Sequence, residues 1–185
     1  MKVVIIHGTG GSPDGNWFPW LSAELTKRKF DVVVPRMPTP EGQSLAAWLT
    51  AFDQLVGPVD ANTILIGHSV GAVFLLRLLE RVQNPVRSSF FVAGFSGFLG
   101  LPKFDTLNST FVNGGYNWKA IRSNAGEVFC YSGSDDPYVP LAQAIDLAKN
   151  LGVEAQIIEG GGHLNAEFGY RTFPLILNEL TKLGV

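Results

Sequence analysis

Thr63-Ile64-Leu65-Ile66-Gly67-His68-Ser69-Val70-Gly71-Ala72-Val73-Phe74-Leu75-Leu76-Arg77-Leu78-Leu79 runs from an apolar, β-rich stretch through a glycine-flanked serine into residues with helical spacing. A strand, a tight Gly-x-Ser-x-Gly turn and a helix in immediate succession form what is known as a nucleophile elbow. The turn is so sharp that a β-carbon at either glycine would collide with the neighbouring strand or helix. The serine is held in a strained backbone conformation with its hydroxyl presented outward. Val70 then opens the helix with an N–H that has no carbonyl a turn earlier, placed where negative charge on a reacting oxygen is stabilised. The pentapeptide alone is a weak signal in a chain with 21 glycines, and its context supplies the specificity. Gly94-Phe95-Ser96-Gly97 makes the contrast: it follows the apolar run Phe90-Phe91-Val92-Ala93 but leads into Phe98-Leu99-Gly100-Leu101-Pro102, which is not an amphipathic helix. Ser96 therefore reads as a loop serine.

Working outward, the apolar β-rich runs are Val3 to Ile6, Asp31 to Val34, Thr63 to Ile66, Ser89 to Val92, Val128 to Ser132 and Ala155 to Ile158. Most lack apolar/polar alternation, as expected of strands covered on both faces in a parallel sheet. Helical spacing recurs between them, over Trp17 to Lys29, Ser44 to Val56, Val70 to Gln83, Leu141 to Leu151 and Tyr170 to Lys182. The alternation predicts a three-layer α/β/α architecture. The chain has no internal repeat, low-complexity tract or linker, so residues 1–185 are expected to form a single domain. One long connection, Gly94 to about Gly126, carries Phe95, Phe98, Phe104, Phe111, Tyr116 and Trp118 among glycines and asparagines. Two readings fit it: a small cap or acyl-pocket wall to which Phe95 and Trp118 contribute, or aromatics that cover the sheet edge.

A hydrophobic fraction of 46% and a charged fraction of 16% suit a compact soluble protein. A net charge of −2 gives no electrostatic basis for binding nucleic acid or an anionic membrane. The N-terminal run Val3-Val4-Ile5-Ile6 reads as a first strand rather than a signal-peptide core, and no segment has the length of a membrane span. Cys130 is the single cysteine, so no internal disulfide can form and a cytoplasmic location is expected. Its apolar neighbours Val128, Phe129 and Tyr131 favour a small buried hydrophobe over a reactive thiol.

A serine hydroxyl needs a general base, and imidazole suits neutral pH. Of three histidines, His7 ends the first strand and His68, beside Ser69 in sequence, should point away from it. His163 remains, in the flexible loop Gly160-Gly161-Gly162-His163 after the last strand. The base in turn needs an acid to fix its tautomer. Asp136, in Gly133-Ser134-Asp135-Asp136-Pro137-Tyr138-Val139-Pro140 at a strand's C-terminal end, is favoured. Asp135 is the rival, read instead as a cap of the turn or the following helix. The chain order Ser69, Asp136, His163 is the nucleophile-acid-base order of α/β-hydrolases. A second oxyanion donor, beside the N–H of Val70, is expected at the N–H of Thr9 in His7-Gly8-Thr9-Gly10-Gly11. That loop lacks the Gly-x-Gly-x-x-Gly and Gly-Lys-Ser/Thr patterns of phosphate binding. His7 reads as a structural histidine within it. No metal site is expected, because no His/Cys/carboxylate cluster has ligand spacing.

The full set of residues resembles the α/β-hydrolase fold and, within it, the small lidless serine hydrolases typified by retinoblastoma-binding protein nine and its bacterial relatives. The resemblance covers nearly the whole chain. Beyond Gly67-His68-Ser69 and the Ser134 to Pro140 run, it rests on Trp17-Phe18-Pro19-Trp20-Leu21, Met37-Pro38-Thr39-Pro40, Trp48, Tyr116-Asn117-Trp118-Lys119-Ala120-Ile121 and Gly162-His163. It implies Ser69 as nucleophile, Asp136 as acid and His163 as base, on a six-stranded parallel sheet of order 2-1-3-4-5-6. The Leu-x-Cys-x-Glu peptide for which the namesake is known is absent, Cys130 being flanked by Phe129 and Tyr131, so no retinoblastoma-type partner is implied.

These observations lead to the expectation of a cofactor-free serine hydrolase acting on a small acyl substrate, a carboxylic ester in the first instance. A non-catalytic binding protein on the same fold is the alternative from another class. Thioesterase, acyltransferase and aminopeptidase chemistry use the same three residues and are not separable by sequence. Haloalkane dehalogenation is excluded, because it requires a carboxylate at the position of Ser69.

Overall fold

The computed structural model describes residues 1–184. Six strands, β1 (Lys2–Ile6), β2 (Asp31–Val33), β3 (Thr63–His68), β4 (Ser88–Val92), β5 (Glu127–Gly133) and β6 (Ala155–Ile158), form one sheet. All neighbours pair in parallel, in the order β2-β1-β3-β4-β5-β6. The helices among the described residues are α1 (Phe18–Lys27), α2 (Leu45–Leu55), α3 (Val70–Arg81), α4 (Pro102–Val112), α5 (Trp118–Asn124), α6 (Leu141–Leu151) and α7 (Pro174–Lys182), with a 3-10 turn at Ala166–Phe168.

Successive side chains of a strand point to opposite faces, and here each face meets helices. Val3 and Ile5 of β1 join Ile64 and Ile66 of β3 in a core closed by Phe18, Leu21 and Leu25 of α1 and Ile176 and Leu180 of α7. Val4, Ile6 and Leu65 face the other way, onto α2 through α6. That two-sided burial is why the strands read as continuous apolar runs. α3 is buried at every position from Val70 to Leu76 and again at Leu78 and Leu79, lying between the sheet and α2, α4 and α5.

The junction of β3 and α3 is as tight as its sequence requires. A β-carbon on Gly71 would meet the carbonyl oxygen of Ile6 and lie 2.7 Å from that of His7, and one on Gly67 would lie 2.7 Å from the nitrogen of Ala72. Only glycine lets α3 enter this close to β1. Ser69, between them, has φ 58° and ψ −127°, a conformation that costs a residue with a side chain of order 1–3 kcal/mol.

The strands and five helices fall where the sequence places them, with ends shifted by a few residues. The connection from Gly94 to Gly126 differs, for it contains two helices, α4 and α5. Pro102 is the first residue of α4, where its missing N–H is not needed. Asn117 caps α5, its side chain accepting from the Ala120 N–H at 3.1 Å.

Candidate active site

The C-terminal ends of β1, β3 and β5 and the loop after β6 bring together the residues singled out by sequence. The loop after β1 passes directly beneath Ser69: a β-carbon on Gly8 would lie 2.8 Å from the Ser69 Cβ. His7 fixes that loop. Its Nδ1–H donates to the Gly8 carbonyl at 2.9 Å, and its Nε2 accepts the Met37 N–H at 3.0 Å, so the buried ring is neutral with an assigned tautomer. Burial holds its pKa below the ordinary histidine value. The N–H groups of Thr9 and Val70 make no hydrogen bond among the described residues, which leaves both available to an oxyanion.

Asp136, after β5, has a fully buried side chain. Its Oδ1 accepts the N–H groups of Tyr138 and Val139 at 2.9 and 3.0 Å, and its Oδ2 accepts His163 Nδ1–H at 2.7 Å. With Nδ1 as donor to the carboxylate, Nε2 of the neutral ring is the bare acceptor nitrogen. The His163 ring packs edge-on between Tyr138 and His68, at centroid distances of 5.0 and 4.9 Å. Ser69 and His163 line the same cavity, although no hydrogen bond joins Ser69 Oγ to the imidazole.

The loop that carries His163 is fastened at several points. Trp17 Nε1 donates to the Leu164 carbonyl at 3.0 Å, His68 Nε2–H to the His163 carbonyl at 2.9 Å, and the Gly162 N–H to Asp135 Oδ1 at 2.8 Å. Asp135 is thus not a cap, as the sequence suggests. It ties the end of β5 to the histidine loop, while Pro140 precedes α6.

Two cavities flank Ser69. One, about 170 Å³, has an apolar wall of Leu99, Phe104, Tyr138 and Val139 and polar lining from Thr9, Asn108, Asn165 and Glu167. The other, about 210 Å³, is bounded by Gly8, Gly10, Gly11 and Asn16 and shares Thr9, His163 and Asn165 with the first. The expectation that Phe95 and Trp118 line a pocket is corrected here. Phe95 is buried in the core with α3, and Trp118 packs against Tyr116 at 5.0 Å on the outside of that core. The long connection does supply the wall, but through Leu99, Phe104 and Asn108, before and within α4. Among the described residues no group of three His, Cys, Asp or Glu side chains comes together to hold a metal ion, and no helix is long and apolar enough to cross a membrane.

A family model described as serine hydrolase matches residues 3–182. The chain belongs to the serine hydrolase family. It is similar to YdeN of Bacillus subtilis, with 29% identity over 183 residues covering 98% of this chain and 95% of that one. It is also similar to serine hydrolase RBBP9 of Rattus norvegicus, with 28% identity over 171 residues covering 90% and 89%. The crystal structure of the B. subtilis ydeN gene product superposes with a TM-score of 0.91 over 98% of this chain and 97% of that one. A YdeN-like protein of Pectobacterium atrosepticum, at 20% identity and TM-score 0.71 over 98% and 89% of the two chains, shares the α/β-hydrolase fold.

Within this serine hydrolase, His68 is the site residue whose role the sequence left blank. Its pKa is pushed down to about 3, first by burial and then by the neighbouring His163. The neutral ring donates through Nε2, and its buried Nδ1 has no partner, so a proton there is costly. The unfolded chain, with an ordinary histidine, takes up that proton below about pH 6.5 while the folded chain does not until near pH 3. Stability therefore decreases as the pH is lowered through this window, by about 1.4 kcal/mol per unit for one proton. His7 acts in the same direction. Urea unfolding from pH 4 to pH 7 is expected to show this slope, and His68→Gln to flatten it by about one proton's worth. Equal slopes in the two proteins would mean that His68 is protonated in the fold.

Proposed function

We propose that this serine hydrolase cleaves carboxylic esters of short acyl groups through an acyl-enzyme on Ser69, with His163 as general base and acid and Asp136 as its orienting carboxylate. The observation that carries the reading is the buried Asp136 carboxylate 2.7 Å from His163 Nδ1, in a site whose cavity Ser69 and His163 both line. Nε2 of His163 takes the Ser69 hydroxyl proton as Oγ bonds to the substrate carbonyl carbon. Negative charge gathers on the carbonyl oxygen, where the N–H groups of Thr9 and Val70 receive it. The C–O bond to the leaving alcohol then breaks as His163 returns the proton to the alcohol oxygen. Water, deprotonated by the same nitrogen, releases the acid and restores Ser69. Asp136 stabilises the imidazolium formed in each half-reaction.

The size of the cavity supports a small substrate. At about 170 Å³ the cavity is smaller than the several hundred Å³ usual for pockets that take drug-sized ligands, which supports a short acyl group over a long alkyl chain. The partner is thus a small molecule with a short acyl group, and the glycine-lined cavity on the other side of Ser69 is left for the leaving group. The single cysteine, buried in β5, supports a cytoplasmic setting.

A series of p-nitrophenyl esters from acetyl to dodecanoyl tests the reading. The expected kcat/KM is highest at two to six acyl carbons and at least tenfold lower at twelve. A rise with chain length would refute the cavity as the acyl site. Hydrolysis of aminoacyl amides without any ester hydrolysis would replace the esterase reading by a peptidase one.

A further inference from the structure

Asn108 is 3% exposed, yet only half of its amide is satisfied. Its Oδ1 accepts from Thr9 Oγ1 at 2.9 Å and from Gln43 Nε2 at 2.8 Å. The orientation of both amides follows from their neighbours. Gln43 Nε2 also faces the Leu107 carbonyl at 3.2 Å, and a carbonyl only accepts, so that end of Gln43 is its nitrogen. The other end, Oε1, accepts from Thr39 Oγ1, which itself receives the Gly10 N–H at 2.7 Å. The Asn108 atom facing Gln43 must then be its oxygen, which turns Nδ2 away from the network. Nδ2 has no acceptor among the described residues. It is not sealed in the core either: the buried side-chain polar atoms without partners are His68 Nδ1 and Ser88 Oγ. The cavity that Asn108 lines is the one it shares with Ser69.

A polar side chain held this firmly, with its acceptor turned inward and its donors left open beside a small cavity of mixed apolar and polar lining, has a hydrogen-bonding capacity that a bound molecule can fill. We propose that Asn108 is a specificity-determining residue whose Nδ2 donates to a neutral oxygen within the acyl group, so that the substrate class is short acyl groups bearing an ether, hydroxyl or keto oxygen rather than plain alkyl chains. This rests on the ester-hydrolase reading given above. Neutral oxygen is specified because Glu167 lines the same cavity and its carboxylate opposes an anionic acyl group. Asn108 also grips the side chain of Thr9, whose N–H faces the oxyanion, so the two ends of one acyl group meet adjoining residues.

The test compares two esters of equal length, p-nitrophenyl pentanoate and p-nitrophenyl 3-methoxypropanoate, in wild type and Asn108→Leu. The ratio of kcat/KM values, methoxypropanoyl over pentanoyl, cancels the inherent reactivity of each ester when compared between proteins. That ratio is expected to fall about tenfold in Asn108→Leu, the change carried by one hydrogen bond of ordinary strength. Asn108→Asp, which keeps an acceptor for Thr9 and Gln43 but loses the donor, is expected to lower it at least as far, and it stands in if the leucine variant does not fold. A ratio unchanged in a folded variant overturns the role of Asn108 and leaves the hydrolase reading intact. Failure of the wild-type protein to cleave either ester overturns both.

Discussion

Ser69→Ala is expected to lower kcat on a short acyl ester by roughly four to six orders of magnitude, the loss produced when one member of a cooperating catalytic set is removed. Alanine at this position keeps the same backbone conformation and forfeits only a partly exposed hydroxyl that makes no hydrogen bond to His163. Stability should therefore stay within about 0.5 kcal/mol of wild type. The measurement is steady-state kinetics on protein purified free of host esterases, alongside thermal unfolding. Covalent labelling by a fluorophosphonate, present in wild type and absent in Ser69→Ala, separates an enzyme from a binding protein that has kept the fold. Undiminished hydrolysis by the alanine variant would place the chemistry elsewhere in the molecule.

Asp136→Asn should reduce kcat by about 10⁴-fold through the tautomer of His163 alone, the size of effect seen when such a carboxylate becomes an amide. The local geometry forces this outcome. Two backbone N–H groups, of Tyr138 and Val139, hold Oδ1 of residue 136, so an asparagine would keep its oxygen there and turn its NH₂ toward His163 Nδ1. That nitrogen must then accept, the proton moves to Nε2, and the ring can no longer take a proton from Ser69. Asp135→Asn provides the internal contrast. Its Oδ1 only accepts the Gly162 N–H, which an amide oxygen does equally well, so its rate should change by less than about tenfold. Comparable losses in the two variants would show that both carboxylates act by holding the histidine loop.

The parts of the fold that are plain in the sequence are those where one physical cause dominates. The strands are covered on both faces and read as apolar runs, and the crowding of Gly67 and Gly71 against α3 and β1 leaves no alternative to glycine. Asp136 and His163 are legible because each follows a strand and ends at the same rim of a parallel sheet. α4 is hidden for an instructive reason. Phe104, residue 108 and Phe111 lie on its inward stripe, and the middle position holds the polar Asn108. A residue that faces the cavity interrupts the very period by which a helix is recognised. Pro102 at the start was a signal for this helix, as Asn117 three residues before Ala120 was for α5.

Phe95 and Trp118 fail as pocket residues for the opposite reason. Large aromatics without a period serve core and cavity equally well, and only the path of the chain between them, through two helices, decides which they join. Likewise neighbouring carboxylates at 135 and 136 differ in what they meet, not in chemistry: one reaches a backbone N–H and the other an imidazole.

Ser69 is held at φ 58°, where glycine would be the more stable occupant. Ser69→Gly would thus relieve the turn while removing the hydroxyl, so the residue best suited to this backbone and the residue able to attack a carbonyl are two different ones.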